Sequence, residues 1–330
     1  LDTLGNGLKI IGSGAAIADQ TLTNQDLSQI VETSDEWIQS RTGMRQRYVC
    51  SPHESLTSLG VRAGQAALEM AGLQPQDLDL IILATSTPDD LFGSAAQIQG
   101  GLGACNAFAF DITAACSGFV VGLNTAAQFL RTGVYQRILL IGGDVLSRWV
   151  DWTDRTTCVL FGDGAGAVIL ETQAVDNLLA FEMCTDGSMN GCLNLAYQGY
   201  PQDLTESKSI AQGTYQPIAM NGREVYRFAV ARVPEIIEKV LFKAELTSAD
   251  VDWLILHQAN QRIMDSVGDR LNIPSEKIIS NVSRYGNTSA ASIPLALNEA
   301  VQAGKFKTGD LLVLAGFGAG VTWAASVLRW

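Results

Sequence analysis

"DLDLIILATS" at residues 77–86 and "DVDWLILHQA" at residues 250–259 carry one pattern, 173 positions apart. Each begins with acidic residues and runs into consecutive aliphatic ones, which reads as a strand buried on both faces of a sheet. The same offset lays "RILLIGG" (137–143) on "DLLVLAG" (310–316). It also lays the helical stretch that follows Cys116 on "SAASIPLALNEAVQAG" (289–304). One apolar strand matches another by chance, but three elements in a single register do not. The chain is therefore expected to be a duplication with two α/β halves, residues 1–173 and 174–330, each a sheet with helices on its faces. The first half carries an insertion around residues 145–160, and no low-complexity linker separates the halves, so they should pack closely.

Composition supports this and narrows the function. A chain of 330 residues that is 47% hydrophobic and only 17% charged can fill a large core and leave surface for a subunit contact. Its net charge of −12 argues against general nucleic-acid binding, and an acidic partner would need a local basic patch. None of the cysteines (Cys50, Cys105, Cys116, Cys158, Cys184, Cys192) has metal-ligand spacing, so no metal is expected. Leu1–Lys9 is polar and glycine-rich, unlike a secretory signal. Free thiols in a reducing compartment are the expectation: the cytoplasm, with a plastid stroma as the alternative. Leu311–Leu328 is uncharged over 18 residues, the length of a membrane span, but Gly316, Gly318 and Gly320 interrupt it. Two buried strands joined by a glycine turn fit better, so no membrane contact is expected.

Four features carry chemistry, and each also has a plain structural reading. Cys116 heads the small-residue run "DITAACSGF" (111–119). It is either a packed core thiol or a nucleophile at a helix start, where the helix dipole would lower its pKa. His257 follows the strand "WLIL", and the C-terminal end of a buried parallel strand is where α/β folds place sites. A hydrogen-bonded core histidine remains the alternative. The other histidine, His53 in "SPHES", is expected at the surface. Asn287 in "YGNTSAAS" (285–292) is a helix cap or a site amide. The glycine turn "GFGAG" (316–320) either simply reverses the chain or brings backbone N–H groups to a ligand. At the offset of 173, Cys116 aligns with Ser289, which predicts two helix starts converging on one pocket.

Taken together, "DITAACSGF", "HQANQRI", "YGNTSAASIP" and "GFGAGVTW", with "ETSDEWIQSRTGMRQR" (32–47) and "FGDGAGA" (161–167), resemble the thiolase-fold condensing enzymes, specifically the β-ketoacyl-acyl carrier protein synthase III family, over essentially the whole chain. Cys-His-His would point to elongating synthases and Cys-His-Cys to thiolases. The resemblance implies a thiolase-like fold, with two duplicated α/β halves packed in an α-β-α-β-α arrangement. It implies that Cys116 takes an acyl group from a CoA thioester, and that His257 and Asn287 steady the enolate formed when malonyl-acyl carrier protein loses carbon dioxide. The oxyanion donors would be the backbone N–H groups of Cys116 and Ala319, although the family usually has glycine at the latter position. No metal or redox cofactor is implied.

The resemblance also places Trp37, Arg41, Arg155, Gly222 and Asn260 along the CoA channel, with a tryptophan–guanidinium sandwich for the adenine. Phe161 would line the acyl pocket. Phe92 would reach it from a second copy of the chain, implying a homodimer. Arg227, Arg262 and Arg270 would dock the acidic carrier protein, while Arg223 and Asp269 depart from the family pattern. The alternatives are a starter-unit condensing enzyme or acyltransferase of secondary metabolism on the same fold, a non-catalytic acyl-binding relative, and a cysteine hydrolase. The intact Cys-His-Asn set and the CoA-channel residues count against these.

Overall fold

The computed structural model describes residues 7–330; Leu1–Asn6, the start of the first expected half, lie outside the described residues. Strands β1 (Gly7–Ile17), β2 (Leu80–Ala84), β3 (Phe108–Ile112), β4 (Arg137–Asp144) and β5 (Gly164–Gln173) form one sheet in the order β1-β5-β4-β2-β3. Within it β3, β2 and β4 are parallel, and β5 and β1 close the other side antiparallel. A second sheet of β6 (Leu178–Thr185), β7 (Trp253–Leu256), β8 (Leu311–Gly318) and β9 (Thr322–Arg329) has the order β7-β8-β9-β6. It repeats the first, β7 and β8 being parallel and β9 and β6 antiparallel. The counterpart of β3 is reduced to a single parallel bridge between Leu254 and Ile278.

Side-chain alternation along the strands assigns the layers. Leu80, Ile82, Ile138 and Leu140 share a core with Ile255, Leu312 and Leu314 of the other sheet. Between the sheets lie the helices α3 (Gly118–Arg131) and α6 (Ser292–Gln302), which contribute Phe119, Leu123, Ile293 and Leu297 to that core. Ile81, Leu83, Leu139 and Ile141 face outward onto α1 (Leu56–Ala71) and α2 (Ala95–Leu102). Leu254, Leu256, Val313 and Ala315 face α4 (Gly222–Lys243) and α5 (Gln261–Leu271). The result is the five-layer α-β-α-β-α stack. Both faces of each sheet are covered, which is why the central strands are continuous aliphatic runs. Among the described residues no helix is long and apolar enough to cross a membrane, and the uncharged 311–328 stretch is the hairpin of β8 and β9.

The repeat is not gapless. Leu80 pairs with Ile138, whereas Trp253 pairs with Leu312. The offset is thus 173 for the first strand of each half but 174 for the next. Sliding β8 by one residue would turn Leu312 and Leu314 out of the central layer, so burial enforces the shift. The same extra residue separates the helices, α3 starting at Gly118 and α6 at Ser292. The structural counterpart of Cys116 is therefore Ala290, and Ser289 corresponds to Ala115. The expected pairing of Cys116 with Ser289 is corrected by this one-residue insertion between β7 and α6.

Candidate active site

Both helices of the central layer are entered through a strained turn. Ala115 and Ser289 have left-handed backbones, with φ of 47° and 51°, a conformation that costs a non-glycine residue about 1–3 kcal/mol and collects at functional sites. Each turn leads into a short 3-10 segment, Ala115–Ser117 and Ser289–Ala291, and then into its helix. The two segments touch across the pseudo-twofold axis. A Cβ on Gly142 would lie 2.2 Å from the Ala290 carbonyl oxygen, and one on Gly316 would lie 3.2 Å from that of Cys116. These glycines, themselves 174 residues apart, allow the helix starts to seat on the strands.

The symmetry breaks where it matters. In the first half Asp144 ends β4, and its carboxylate accepts from the Ala290 N–H at 3.2 Å as well as from Thr85, Ser86 and Thr87. Its counterpart at the end of β8 is Gly318, which has no side chain to offer the Cys116 N–H. A Cβ there would lie 2.5 Å from the Cys116 nitrogen and 2.9 Å from the Ala115 Cβ. Glycine at 318 thus gives the Cys116 N–H no side-chain acceptor from β8. We expect Gly318→Ala to push the Cys116 turn aside and, on the roles the resemblance implies, to slow acylation by roughly 10²-fold, the loss typical of a displaced oxyanion donor; a single-turnover rate measured by intact mass checks it.

Cys116 is 7% exposed, and the Ser289 hydroxyl donates to its sulfur at 3.3 Å. The expectation of a lowered thiol pKa is not met. Burial pushes the thiol up to about 12, the nearby Asp144 carboxylate adds to this, and the Ser289 hydrogen bond opposes it. The sulfur stands two residues before the helix proper, and desolvation outweighs the helix start. Thiolate is then a minor species at neutral pH, and its fraction grows with each unit of pH. Acylation by an acyl thioester is expected to keep rising through pH 9, with no plateau near the ordinary thiol value of about 8.5; a pH series of single-turnover rates would show it.

His257 follows β7 and is 2% exposed. Its N–H donates to the Ala315 carbonyl, its ring meets Phe317 edge-on at 5.3 Å, and Nδ1 lies 2.7 Å from the Ser292 hydroxyl. Burial drives its pKa down to about 3, so the ring is neutral. Gln258 anchors the turn from behind through Leu256, Ile279 and Asn281, with no polar atom of its amide left free. Asn287 is clamped by its backbone between Leu160 and Gly162. Its Oδ1 accepts from the Ser289 N–H at 2.9 Å, a cap-like bond that leaves Nδ2 as the free donor.

Cys116, His257, Asn287 and Phe161 line one cavity of about 930 Å³, at the upper end of the usual range for small-molecule sites. Trp37, Arg41, Gly222 and Asn260 line its outer part. Arg155 is not in the cavity wall but stacks on Trp37 at 5.0 Å, as Arg41 does at 4.8 Å. The Asn260 side chain caps α5 and donates to the Arg41 carbonyl, so it shapes the channel as well as lining it. From the glycine turn Phe317, Gly318 and Val321 reach the cavity, whereas Ala319 does not line it. Arg227 and Arg262, both exposed, also line the cavity. Arg270 instead binds the Val230 and Ala231 carbonyls and Glu235, which ties it to α4. Phe92 is fully exposed, away from its own chain's cavity, and His53 is exposed. Among the described residues no cluster of His, Cys, Asp or Glu could hold a metal ion.

Reading the residues overlooked Gly318 and Ser292. The signal for Gly318 was its symmetry with Asp144, which appears only once the offset of 174 is known. Ser292 closes the quoted motif "YGNTSAAS" but had no assigned part.

The chain is similar to proteins already known. A family model described as 3-oxoacyl-[acyl-carrier-protein] synthase III matches residues 110–187, and one for the C-terminal part of the same family matches residues 241–330. The chain is 82% identical over 330 residues to a β-ketoacyl-[acyl-carrier-protein] synthase III of Synechocystis sp., covering all of both chains. It is 63% identical to the protein of that name from Synechococcus elongatus, covering 99% of this chain and 98% of the other. The crystal structure of 3-oxoacyl-[acyl-carrier-protein] synthase III from Aquifex aeolicus superposes with a TM-score of 0.90 at 44% identity, covering 98% of this chain and 100% of that one.

Proposed function

This chain belongs to the 3-oxoacyl-[acyl-carrier-protein] synthase III family, and from that premise we propose how its cavity performs the family's condensation. The enzyme is an acyltransferase that starts fatty acid synthesis by joining a short acyl group to a malonyl unit with loss of carbon dioxide. Acetyl-CoA is the proposed acyl donor and malonyl-acyl carrier protein the proposed acceptor. The observation that supports this most is a buried thiol sharing one cavity with two neutral hydrogen-bond donors, His257 and Asn287.

In the first half-reaction the Cys116 sulfur attacks the thioester carbonyl. The S–C bond forms, the C–S bond to CoA breaks, and the CoA thiolate leaves with the proton that Cys116 gives up. The transient oxyanion is held by the Cys116 N–H and a second backbone N–H of the 318–320 turn, for which Ala319 is the candidate. In the second half-reaction the malonyl thioester oxygen sits between the donors of His257 and Asn287. Its C–C bond to the carboxylate breaks, carbon dioxide leaves, and the electron pair spreads onto that oxygen as an enolate. A charged imidazolium would hand over its proton and quench the carbanion; a histidine held neutral by burial donates a hydrogen bond and keeps the proton. The carbanion then attacks the acyl-Cys116 carbonyl, and the thiolate leaves and recovers a proton.

The outer channel suits CoA. Trp37 with Arg41 and Arg155 offers an aromatic face and two guanidinium groups to an adenine and its phosphates. Trp37→Ala is expected to raise KM for acyl-CoA roughly tenfold or more, from a loss of about 1–3 kcal/mol of stacking, with kcat nearly unchanged. Initial rates over a range of acyl-CoA concentrations would show the split. Arg227 and Arg262, exposed and lining the cavity, are the proposed cationic contacts for the carrier protein on an otherwise acidic chain. A homodimer in which Phe92 of one protomer enters the other's acyl pocket accounts for a phenylalanine left fully exposed. Thioester condensation of this kind needs no metal or redox cofactor. The experiment that tests the reading is a pulse of acetyl-CoA followed by malonyl-acyl carrier protein, with the carrier product identified by mass.

A further inference from the structure

We propose that Ser292 is a positioning residue for the condensation: its hydroxyl donates to His257 Nδ1, holds the ring in the Nε2–H tautomer, and so makes the cavity-facing nitrogen a hydrogen-bond donor. The inference rests on the reading of His257 as an enolate donor and adds the residue that makes it one. Ser292 is the first residue of α6 and is 1% exposed. Its oxygen lies 2.7 Å from Nδ1 and accepts from the Gln258 N–H at 3.3 Å.

A hydroxyl has one proton and two lone pairs. With Gln258 on one lone pair, two arrangements remain. If Nδ1 carried the proton and donated to Ser292, the serine proton would have no acceptor, because among the described residues the Ser292 side chain makes no other hydrogen bond. If Ser292 donates to Nδ1, every group is paired. An unpaired buried hydroxyl proton is the costlier choice, and the bond at one ring nitrogen dictates which tautomer the other presents. Desolvation keeps the ring neutral at working pH, but neutrality alone does not choose between an Nε2 that donates and one that accepts. An accepting Nε2 would repel an enolate oxygen. Asn287 is oriented by the same logic, since the Ser289 N–H takes its oxygen and leaves its nitrogen for the cavity.

The test uses the chain's scarcity of histidine: His53 and His257 are its only two. In enzyme labelled with nitrogen-15 histidine, one ring is expected to show a pyrrole-type Nε2 and a pyridine-type Nδ1 that do not titrate near neutrality. In Ser292→Ala that pattern should shift toward the Nδ1–H form. Condensation should fall by between about tenfold and a hundredfold, less than on deleting the ring, while acylation by acetyl-CoA stays within about twofold. A wild-type His257 with its proton on Nδ1 overturns the proposal, whether or not the variant folds. So does a Ser292→Ala enzyme with unchanged histidine signals and rate, or one slowed equally in both half-reactions. His257→Ala serves as the separate control: if it leaves condensation intact, the underlying reading of His257 fails, independently of Ser292.

Discussion

Replacing Cys116 with alanine is expected to abolish the acyl-enzyme and lower overall condensation by at least about 10³-fold, the scale on which enzymes lose rate when their nucleophile is removed. Incubation with acetyl-CoA should add the acetyl mass to wild-type enzyme and none to the variant. The substitution removes one atom from a site that already accepts alanine in its symmetry mate, Ala290, so the fold should survive. The His257 and Asn287 donors are untouched, because neither side chain hydrogen-bonds to the sulfur. The variant should therefore still decarboxylate malonyl-carrier, releasing acetyl-carrier with no chain growth. Retained acetylation in Cys116→Ala would place the nucleophile elsewhere. Among the cavity-lining residues Cys192 is the only other thiol, and it is bound to the Glu224 carboxylate, which disfavours its ionisation.

The second large effect separates the half-reactions. His257→Ala is expected to acylate at nearly the wild-type rate, since in the proposed mechanism the oxyanion of that step is held by the backbone N–H groups of Cys116 and Ala319 instead. Decarboxylation and condensation should fall by roughly 10²–10³-fold, the loss usual for one donor to a developing oxyanion. Asn287→Ala should follow the same split. The double variant should lose less than the product of the two, because both donors serve a single oxygen. Separate single-turnover measurements of acylation by acetyl-CoA and of carbon dioxide release from malonyl-carrier give both rates. Equal slowing of the two steps by His257→Ala would assign the histidine to activating Cys116 instead.

How far the sequence reveals this depends on the kind of signal. The two α/β halves were legible because strands buried on both faces must be aliphatic throughout, and two sets of them stood in near register; their stacking into five layers came from the resemblance. The one-residue slip was not legible: "RILLIGG" and "DLLVLAG" are apolar at every central position, so sliding one along the other changes no pattern that composition can report. Only the pairing of Leu312, opposite Trp253, reveals it. That slip hid the equivalence of Asp144 with Gly318, and with it the reason for a glycine beside Cys116.

The hairpin of Tyr197–Thr205 and Lys208–Tyr215 was also unreadable, because its residues are almost all exposed and show no apolar alternation. Arg47 lies within "RTGMRQR", a stretch whose charges no sequence pattern marks for burial. Yet it is fully buried, donating to the Leu22 and Val159 carbonyls and the Asn24 side chain, its pKa lowered to about 10 by burial. Nothing in a sequence distinguishes an arginine that will find carbonyl oxygens from one that will find water. The thiol pKa missed for a similar reason, since helix position is visible in a sequence and depth of burial is not.

The central claim is that one thiol carries the acyl group between two substrates in a single cavity. Intact-mass spectrometry of the enzyme pulsed with acetyl-CoA and then chased with malonyl-acyl carrier protein tests it most directly. One acetyl group per chain, mapped to Cys116, is expected, and it disappears on the chase as acetoacetyl-carrier appears in equal amount. An acetyl group on another residue, or one that persists while product forms, would contradict it.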